Sequence, residues 1–247
     1  MRSSHKKEAT PGTHIEIDTL EPRWLIDRLR PLPPNPVAVI DIDSTIMDTA
    51  PRNRSILQAA AKQFPEIAAI VPGLTDGDLG WGVAAKVARE AGLTAGKTHE
   101  LERFWAERFF SNRWLACDCP YPGVRRFLRW LQELGLVLVY LTGRDKPNMS
   151  DGTISSFRSH GLPTGPNTEF LFKPAPADDD IAFKQRAIET VERIGTVVLA
   201  IDNEPGNANT FRRSFPDAVV LLMVTVTSPE PEPLAGGIHT FKRYASL

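Results

Sequence analysis

The sequence predicts an α/β protein built on a doubly wound parallel β-sheet, and two features of its 247 residues carry this prediction. Near-continuous aliphatic runs begin at residues 37, 136, 196 and 218, and a weaker run covers 169–173. Runs of this kind, without strict alternation, are typical of parallel strands that are covered on both faces. Helical patterns separate the later runs, which favours right-handed crossovers within one sheet.

The helices next to these strands are marked by their apolar spacing and their end signals. Residues 123–134 and 181–194 carry apolar side chains three and four positions apart, and a glycine follows each segment. Shorter helices are predicted over 150–160 and over 205–214, the second opened by Pro205. Each segment therefore fits a connection at the end of a predicted strand.

The first 36 residues are predicted to form a separate region before the sheet. Residues 1–14 are polar and rich in turn-forming residues, which favours a loose tail. Residues 21–30 place apolar side chains between charges, which predicts a short amphipathic helix. Four prolines in residues 31–36 indicate a stiff linker into the first predicted strand.

One connection is far longer than a crossover between parallel strands needs. Between Thr45 and Pro122 the sequence shows only helical patterns and no good strand. We therefore predict a small all-helical cap domain over 48–120, inserted after the first strand. The core domain is then formed by 37–47 together with 121–247.

Composition excludes several classes of function. The chain has 29 Lys and Arg against 30 Asp and Glu, and its formal net charge of -1 provides no basic field for nucleic acid or an anionic membrane. No apolar run is long enough to span a bilayer, and the first residues lack the apolar stretch of a secretory signal. The two cysteines, Cys117 and Cys119, are too few for a structural zinc site and fit a reducing compartment. We therefore expect a cytoplasmic protein without a membrane or nucleic-acid partner.

Acidic and hydroxyl side chains follow three of the predicted strands. Asp41 and Asp43 follow the first strand, Thr142 ends the second, and Asp202 ends the last but one. These strand ends meet at the edge of the sheet where ligands bind. The side chains of Asp41 and Asp43 are expected to point the same way, a crowding of charge that a hard cation such as Mg²⁺ relieves. A carboxylate here can also attack phosphorus, with a second carboxylate as general acid and base.

Four motifs together resemble those of the haloacid dehalogenase-like (HAD) superfamily in their order and spacing. They are DIDST at 41–45, LTGRD at 141–145, FKQR at 183–186 and AIDNEP at 200–205. The resemblance covers about 37–224 and implies a Rossmann-like core, and the helical insertion resembles a C1-type cap. It also implies a Mg²⁺-dependent phosphatase that hydrolyses small phosphate monoesters through an aspartyl-phosphate.

The resemblance assigns roles to individual residues. Asp41 is implied as the nucleophile and Asp43 as the acid and base, so that the catalytic set is Asp41, Asp43, Thr142 and Lys184. The implied phosphate-binding residues are Ser44, Thr45, Thr142, Gly143 and Lys184, with Lys173 as an alternative for the lysine of the third motif. The implied metal ligands are Asp41, Asp43, Asp202 and Asn203.

The sequence departs from the superfamily pattern in two places, and alternatives to the phosphatase stay open. Ser44 replaces the usual glycine, while Asn203 and Asn207 stand where a second acid of the fourth motif is usual. A catalytically weak or inactive binding module of the same fold is therefore one alternative. The TGR sequence leaves a nucleic-acid end-processing phosphatase as another, which the net charge disfavours. Asp43 disfavours a dehalogenase, because displacement of halide needs no general acid.

Overall fold

The computed structural model describes residues 14–246 of the chain, and its elements alternate as the sequence pattern predicts. The strands are β1 (Glu16–Leu20), β2 (Pro36–Ile40), β3 (Met47–Asp48), β4 (Cys119–Pro120), β5 (Val137–Asp145), β6 (Thr168–Lys173), β7 (Thr196–Asp202), β8 (Val219–Met223) and β9 (Ile238–Tyr244). The helices are α1 (Pro22–Leu29), α2 (Ala50–Ala60), α3 (Val83–Glu90), α4 (Ala95–Phe109), α5 (Val124–Glu133), α6 (Lys146–Ser159), α7 (Asp180–Ile194) and α8 (Pro205–Ser214).

Seven strands form one sheet in the order β1-β9-β8-β7-β2-β5-β6, and every neighbouring pair is parallel. This confirms the predicted doubly wound α/β fold. The strand β2 lies between β7 and β5, so its carboxyl end opens at the middle of the sheet. No helix within residues 14–246 is long and apolar enough to cross a membrane.

The two faces of the sheet are covered by different helices, because alternate side chains of each strand point to opposite faces. In β2, Ala38 and Ile40 belong to a buried cluster that includes apolar residues of α1, α5 and α6. Val37 and Val39 belong to a second cluster, which includes residues of α7 and α8. Burial on both faces explains why β2 reads as a continuous apolar run.

The prediction that the first 36 residues lie outside the sheet is wrong for β1. Glu16–Leu20 pairs with β9, with Glu16 opposite Thr240, and forms one edge of the sheet. The sequence signal is weak because only Leu20 of this strand is buried. The predicted helix over 21–30 is confirmed as α1, whereas most of the predicted tail lies outside the described residues.

The strand β9 is a second element that the sequence pattern did not indicate. In IHTFKRY the buried residues are Ile238, Phe241 and Tyr244, and this spacing of three does not resemble a strand. Together β1 and β9 extend the sheet beyond β8, and the hydroxyl of Tyr244, the last residue of β9, donates to the Thr45 carbonyl in the loop after β2 at 3.1 Å.

The helices α2, α3 and α4 lie in one insertion and share a hydrophobic cluster of their own, which includes Ile56, Val87, Leu101 and Phe104. We propose that this insertion is a separate cap domain with the predicted bounds 48–120. The expectation of no strand in this connection needs a correction. The chain leaves the core through β3 and returns through β4, and these two-residue strands pair antiparallel.

Candidate active site

Two aspartates and a threonine predicted for the site lie at the carboxyl ends of three neighbouring strands. Asp41 follows the last residue of β2, Asp202 is the last residue of β7, and Thr142 lies in the final part of β5. All three side chains are buried. The sheet therefore brings them to one edge, as its parallel topology requires.

Asp41, Lys184 and Asp202, which we call the lysine cluster, share one buried ammonium group. The Lys184 Nζ lies 2.6 Å from Asp41 Oδ1 and 2.7 Å from Asp202 Oδ2, and all three side chains are at least nine-tenths buried. The Thr45 hydroxyl lies 3.1 Å from Asp41 Oδ2 and 3.2 Å from Asn203 Oδ1. Both carboxylates are thus tied to a residue of α7.

Burial and neighbouring charges shift the pKa of Asp41 in opposite directions, and the same is true of the pKa of Lys184. Burial raises the pKa of Asp41 to about 7, and Lys184 acts against this rise. For Lys184, burial disfavours the charged form, but Asp202 and Asp41 outweigh it and raise the pKa above its ordinary value. The lysine therefore stays protonated between the two carboxylates.

The asparagines of the fourth motif surround Asp202 and its loop. Asp202 Oδ1 accepts from the backbone N–H of Glu204 at 2.9 Å and from Nδ2 of Asn207 at 3.2 Å. The other amide atom, Asn207 Oδ1, is buried and has no hydrogen-bond partner. The Asn203 Nδ2 donates to the Val226 carbonyl at 2.5 Å. Asn207 therefore has one free acceptor beside the lysine cluster.

Asp43 belongs to a second cluster, which consists of Asp43, Arg52, Asp118 and Arg144 and which we call the arginine quartet. Arg144 donates to both oxygens of Asp43, from Nη2 at 2.7 Å and from Nε at 3.0 Å, while Arg52 Nη2 lies 2.7 Å from Asp43 Oδ1. Asp118 pairs with both guanidinium groups, at 2.9 Å from Arg52 Nε and 2.6 Å from Arg144 Nη2. The Asp43 side chain is 31% exposed, and the other three side chains are fully buried.

The two arginines control the charge of Asp43. Burial by itself would raise the pKa of Asp43, but the guanidinium groups of Arg144 and Arg52 outweigh burial and hold this pKa well below its ordinary value. Asp43 is therefore a carboxylate in this arrangement. Each of these two carboxylates has a cationic side chain beside it, Lys184 for Asp41 and the two arginines for Asp43, and a metal that relieves their crowding stays a prediction.

A family model for the haloacid dehalogenase-like hydrolases matches residues 36–203, which include the first three motifs and the first four residues of the fourth. The chain belongs to this family. Its fold is shared by a predicted phosphatase from Clostridium acetobutylicum, with 12% identity, a TM-score of 0.54 and coverage of 84% of this chain and 94% of that chain. No match was found among curated proteins.

Two further solved structures show the same likeness. Protein Tyrosine Kinase A from Mycobacterium tuberculosis has 17% identity and a TM-score of 0.54 over 84% of this chain and 94% of that chain. A HAD-superfamily hydrolase of subfamily IA from Geobacter sulfurreducens has 13% identity and a TM-score of 0.51 over 83% and 90%. At these identities the likeness shows the shared HAD fold.

The phosphate-binding residues implied for this HAD hydrolase differ in where the structure places them. Lys184 reaches Asp41, whereas Lys173 Nζ donates to Asp180 Oδ1 at 2.7 Å. A Cβ atom at Gly143 would lie within 3 Å of the Asp180 carboxylate, so a side chain there would displace Asp180. The structure therefore brings Lys184, and not Lys173, to the lysine cluster.

The predicted metal ligands are divided between the two clusters. Asp41, Asp202 and Asn203 lie in or beside the lysine cluster, but the Asp43 side chain is held by arginines. Within residues 14–246 no group of three or more His, Cys, Asp or Glu side chains is arranged to hold a metal ion. Any metal at this edge of the sheet would thus need amide and backbone oxygens besides Asp41 and Asp202.

Arg52 and Asp118 are two residues of the site that sequence reasoning missed. Arg52 lies in the first turn of the cap helix α2, where its charge was taken for that of an exposed helix start, and Asp118 stands between two cysteines that drew attention to metal binding instead. Neither residue has a signal in the sequence, because only the fold shows that their partner Arg144 is buried and so needs an anion beside it.

Proposed function

We propose that this HAD hydrolase is a Mg²⁺-dependent phosphatase that cleaves small phosphate monoesters through an aspartyl-phosphate on Asp41. The observation that carries the proposal is the lysine cluster, in which Asp41 lies at the central strand end with Lys184 2.6 Å away. A carboxylate beside a buried ammonium is suited to attack a phosphoryl group, because the cation offsets the negative charge of the incoming oxygens. Membership in the hydrolase family and the likeness to a structure called a predicted phosphatase support the same conclusion.

In the proposed reaction, an Asp41 carboxylate oxygen attacks phosphorus as the bond from phosphorus to the leaving oxygen breaks. Asp43 gives its proton to that oxygen, and the alcohol departs. Asp43 then takes a proton from a water molecule, whose oxygen attacks phosphorus. The bond between phosphorus and Asp41 breaks, which releases inorganic phosphate and restores both aspartates. Thr142 and Lys184 would bind the phosphoryl oxygens during both steps.

The residues around Asp41 and Asp202 fit a magnesium ion in their donor chemistry. They provide two carboxylates, the amide oxygen of Asn203, the backbone carbonyl of Asp43 and the unpartnered Oδ1 of Asn207, all of which are hard oxygen donors. When bound there, Mg²⁺ would supply positive charge for the phosphoryl oxygens. Because asparagines stand where the superfamily pattern has a second acid in the fourth motif, we expect the affinity for Mg²⁺ to be modest.

The acid role of Asp43 carries a condition. A carboxyl group held by two guanidinium groups is a poor proton donor, because both favour its charged form. Protonation of the leaving oxygen therefore requires the contacts of Asp43 to change when a substrate is bound. This requirement comes from the arginines of the quartet, because they are the cations that contact Asp43.

Turnover against a panel of phosphate monoesters, with and without Mg²⁺, tests the proposal. We expect hydrolysis that needs Mg²⁺ in the wild type and falls to background in Asp41→Asn, while Asp41→Asn keeps its fold. Asp76→Asn is the control, because Asp76 is an exposed cap residue that pairs only with Arg54 among the described residues. A wild type without turnover on any ester would instead support the inactive binding module.

A further inference from the structure

We propose that β6 is an interaction surface through which two copies of this chain pair edge to edge, antiparallel, with Leu171 on the two-fold axis. The strand β6 ends the sheet, and β5 is its only strand partner within residues 14–246. The inference goes beyond the proposed function and does not depend on it. The backbone, the apolar side chains and the charges of β6 each support it.

The open edge of β6 presents the backbone groups of two phenylalanines. The Leu138 N–H donates to the Asn167 carbonyl at 3.0 Å, which shows that Asn167 directs its backbone groups to β5. Successive residues of a strand direct their N–H and C=O groups to alternate sides. Leu171 therefore also bonds to β5, whereas Phe170 and Phe172 direct their groups away from it. These groups are available to a further strand.

The side chains along this edge are apolar. Phe170, Leu171 and Phe172 follow one another and are all half-buried, and the charges of the strand lie outside this run, at Glu169 and Lys173. A groove of about 350 Å³ opens beside the three apolar residues. Edge strands of monomeric proteins usually carry a charge or a proline in such a run, which β6 lacks. A strand added at this edge would cover apolar side chains that the single chain leaves half-exposed.

A second copy of β6 satisfies the open backbone groups when it runs antiparallel. With Leu171 on the two-fold axis, Phe170 lies opposite Phe172 of the second copy. Both residues direct their N–H and C=O groups to the open edge, so each pair exchanges two hydrogen bonds, and the symmetry repeats the pair. Placing Phe170 on the axis would satisfy the backbone equally well. Backbone geometry thus allows both registers.

Charge favours the register with Leu171 on the axis. In this register Glu169, which is exposed, lies opposite Lys173 of the second copy. With Phe170 on the axis, Glu169 would instead lie opposite Leu171. Opposite charges directly across an antiparallel pair stabilise it. The Lys173 Nζ donates to Asp180 Oδ1 at 2.7 Å, and an ammonium has two further N–H groups to give to a carboxylate.

Arg186 adds positive charge on the same face of the sheet. Leu171 packs against the hydrophobic cluster that contains Phe183 of α7, and alternation places Glu169 and Lys173 on this face as well. Arg186 lies on α7, lines the groove and is exposed. A Glu169 carboxylate from the second copy therefore approaches two cations. The anion near the start of β6 and the cations near its end favour an antiparallel pair of identical strands.

The arrangement leaves both candidate active sites open. The strand β5 lies between β6 and β2, so the pairing edge is separated from the strand end that carries Asp41. In an antiparallel pair the carboxyl ends of the strands point in opposite directions in the two copies, which keeps the two sites apart. Association is therefore measured separately from turnover.

Sedimentation equilibrium of the full chain tests the interface through a matched pair of charge reversals. We expect the wild type to form dimers at micromolar concentration. Glu169→Lys replaces two attractive cross-strand pairs by repulsive ones, so it should raise the dissociation constant of the dimer at least about tenfold. Glu16→Lys makes the same change at an exposed position of β1, the opposite edge of the sheet, and should leave the constant unchanged.

A cysteine on the two-fold axis tests the register. Leu171 lies opposite its own copy in a non-hydrogen-bonded pair, where Cα atoms are about 4.5 Å apart, within the range that a disulfide spans. In a background of Cys117→Ser and Cys119→Ser, we expect Leu171→Cys to form a covalent dimer under mild oxidation. Glu169→Cys is the control, because its copy lies four positions away along the paired strand. Its cross-linking should be at least about tenfold slower.

The outcomes decide between this interface and its alternatives. Covalent dimers through Leu171→Cys, together with a selective loss of association in Glu169→Lys, support the proposal. A wild type that stays monomeric at micromolar concentration overturns it, and so do equal dissociation constants for Glu169→Lys and Glu16→Lys, which would place the contact elsewhere. Equal cross-linking rates for the two cysteine variants overturn the register. Glu169 is exposed, so its variants keep these tests informative even if Leu171→Cys does not fold.

Discussion

The lysine cluster and the arginine quartet are built from the same chemistry but are attached to different parts of the molecule. Each pairs two aspartates with buried cations, and each contains one aspartate of the first motif. All members of the lysine cluster belong to the core: Asp41 directly follows β2, Asp202 ends β7 and Lys184 lies on α7. The quartet takes Arg52 from the cap and Asp118 from the cap boundary. Two neighbouring aspartates of one loop are thus held by different parts of the molecule. The Asp41 carboxylate is held within the core, whereas the Asp43 carboxylate is held where the chain passes between the core and the proposed cap.

The largest effect is expected from Lys184→Met, which removes the only cation of the lysine cluster among the described residues. Asp41 and Asp202 would then face each other buried and unbalanced, and breaking a buried ion pair of this kind costs about 3–5 kcal/mol. We expect a large loss in the free energy of unfolding in urea, and turnover at background.

Lys173→Met is the matched control for this lysine. Its ammonium also pairs with an aspartate, but the Asp180 side chain is 52% exposed, so the loss should stay within about 1 kcal/mol. Equal losses from the two lysine variants would contradict the assignment of Lys184 to the third motif.

A smaller loss is expected from Asp118→Asn in the quartet. The amide keeps one acceptor but loses the charge that balances two arginines. This loss weakens the hydrogen bond from Arg144 Nη2 and the charge contact with Arg52, and a hydrogen bond to a charged group is worth about 1.5–3 kcal/mol. We expect the free energy of unfolding to fall by about 2 kcal/mol, measured by urea denaturation. Asp76→Asn, in an exposed pair with Arg54, should change it by less than about 1 kcal/mol. A loss no larger than that of Asp76→Asn would show that the quartet adds no stability to the junction.

The affinity for Mg²⁺ tests the lysine cluster alone. Asn207→Asp places a third carboxylate where the amide oxygen has no partner, so we expect Mg²⁺ to bind about tenfold more tightly, or about 1.4 kcal/mol. Calorimetric titration measures this change. In Asn209→Asp the same charge lies two residues further along α8, where the amide contacts Glu232 and Pro233, and the affinity should not change. Equal affinities in wild type and Asn207→Asp would place the ion elsewhere.

The smallest effect concerns Ser44, the residue that separates the two clusters. Its φ of 57° is in the left-handed region, and this turn sends Asp43 to the quartet and Thr45 to the lysine cluster. Ser44→Gly removes a left-handed cost of about 1–2 kcal/mol but makes the unfolded chain more flexible, which offsets about 0.5–1 kcal/mol. We expect a gain of about 0.5 kcal/mol in thermal unfolding. Ser44→Ala keeps the Cβ and should match the wild type, and a gain from alanine instead would point to the hydroxyl.

The lysine cluster could be predicted from the sequence, while the quartet could not. Asp41 and Asp202 end apolar runs, and strand ends of a parallel sheet must meet at one edge, so their proximity follows from topology. Arg52 and Asp118 carry no such signal, because their positions depend on how the cap packs on the core. Burial of charge at a junction is a tertiary property that no local pattern encodes.

The fold shows the same division. The strands β2, β5, β7 and β8 were predictable because both of their faces are buried, which leaves apolar runs in the sequence. The strands β1 and β9 were missed because their exposed positions break that pattern. Helix ends were largely predicted within a few residues, since their apolar spacing and glycine stops are local features.

The pairing of β1 with β9 determines how late the sheet can be completed during translation. Glu16 lies opposite Thr240, so a ribosome delivers β1 long before its only strand partner in the described part of the chain. Until β9 has been synthesised, the backbone N–H and C=O groups of β1 have no strand partner, and such unpaired groups favour pairing with other nascent chains. Glu16 and Asp18 place negative charges on this strand, and charge on an unpaired strand disfavours such association. The charged residues that make β1 a weak strand signal in the sequence thus also disfavour its association with other chains before β9 is synthesised.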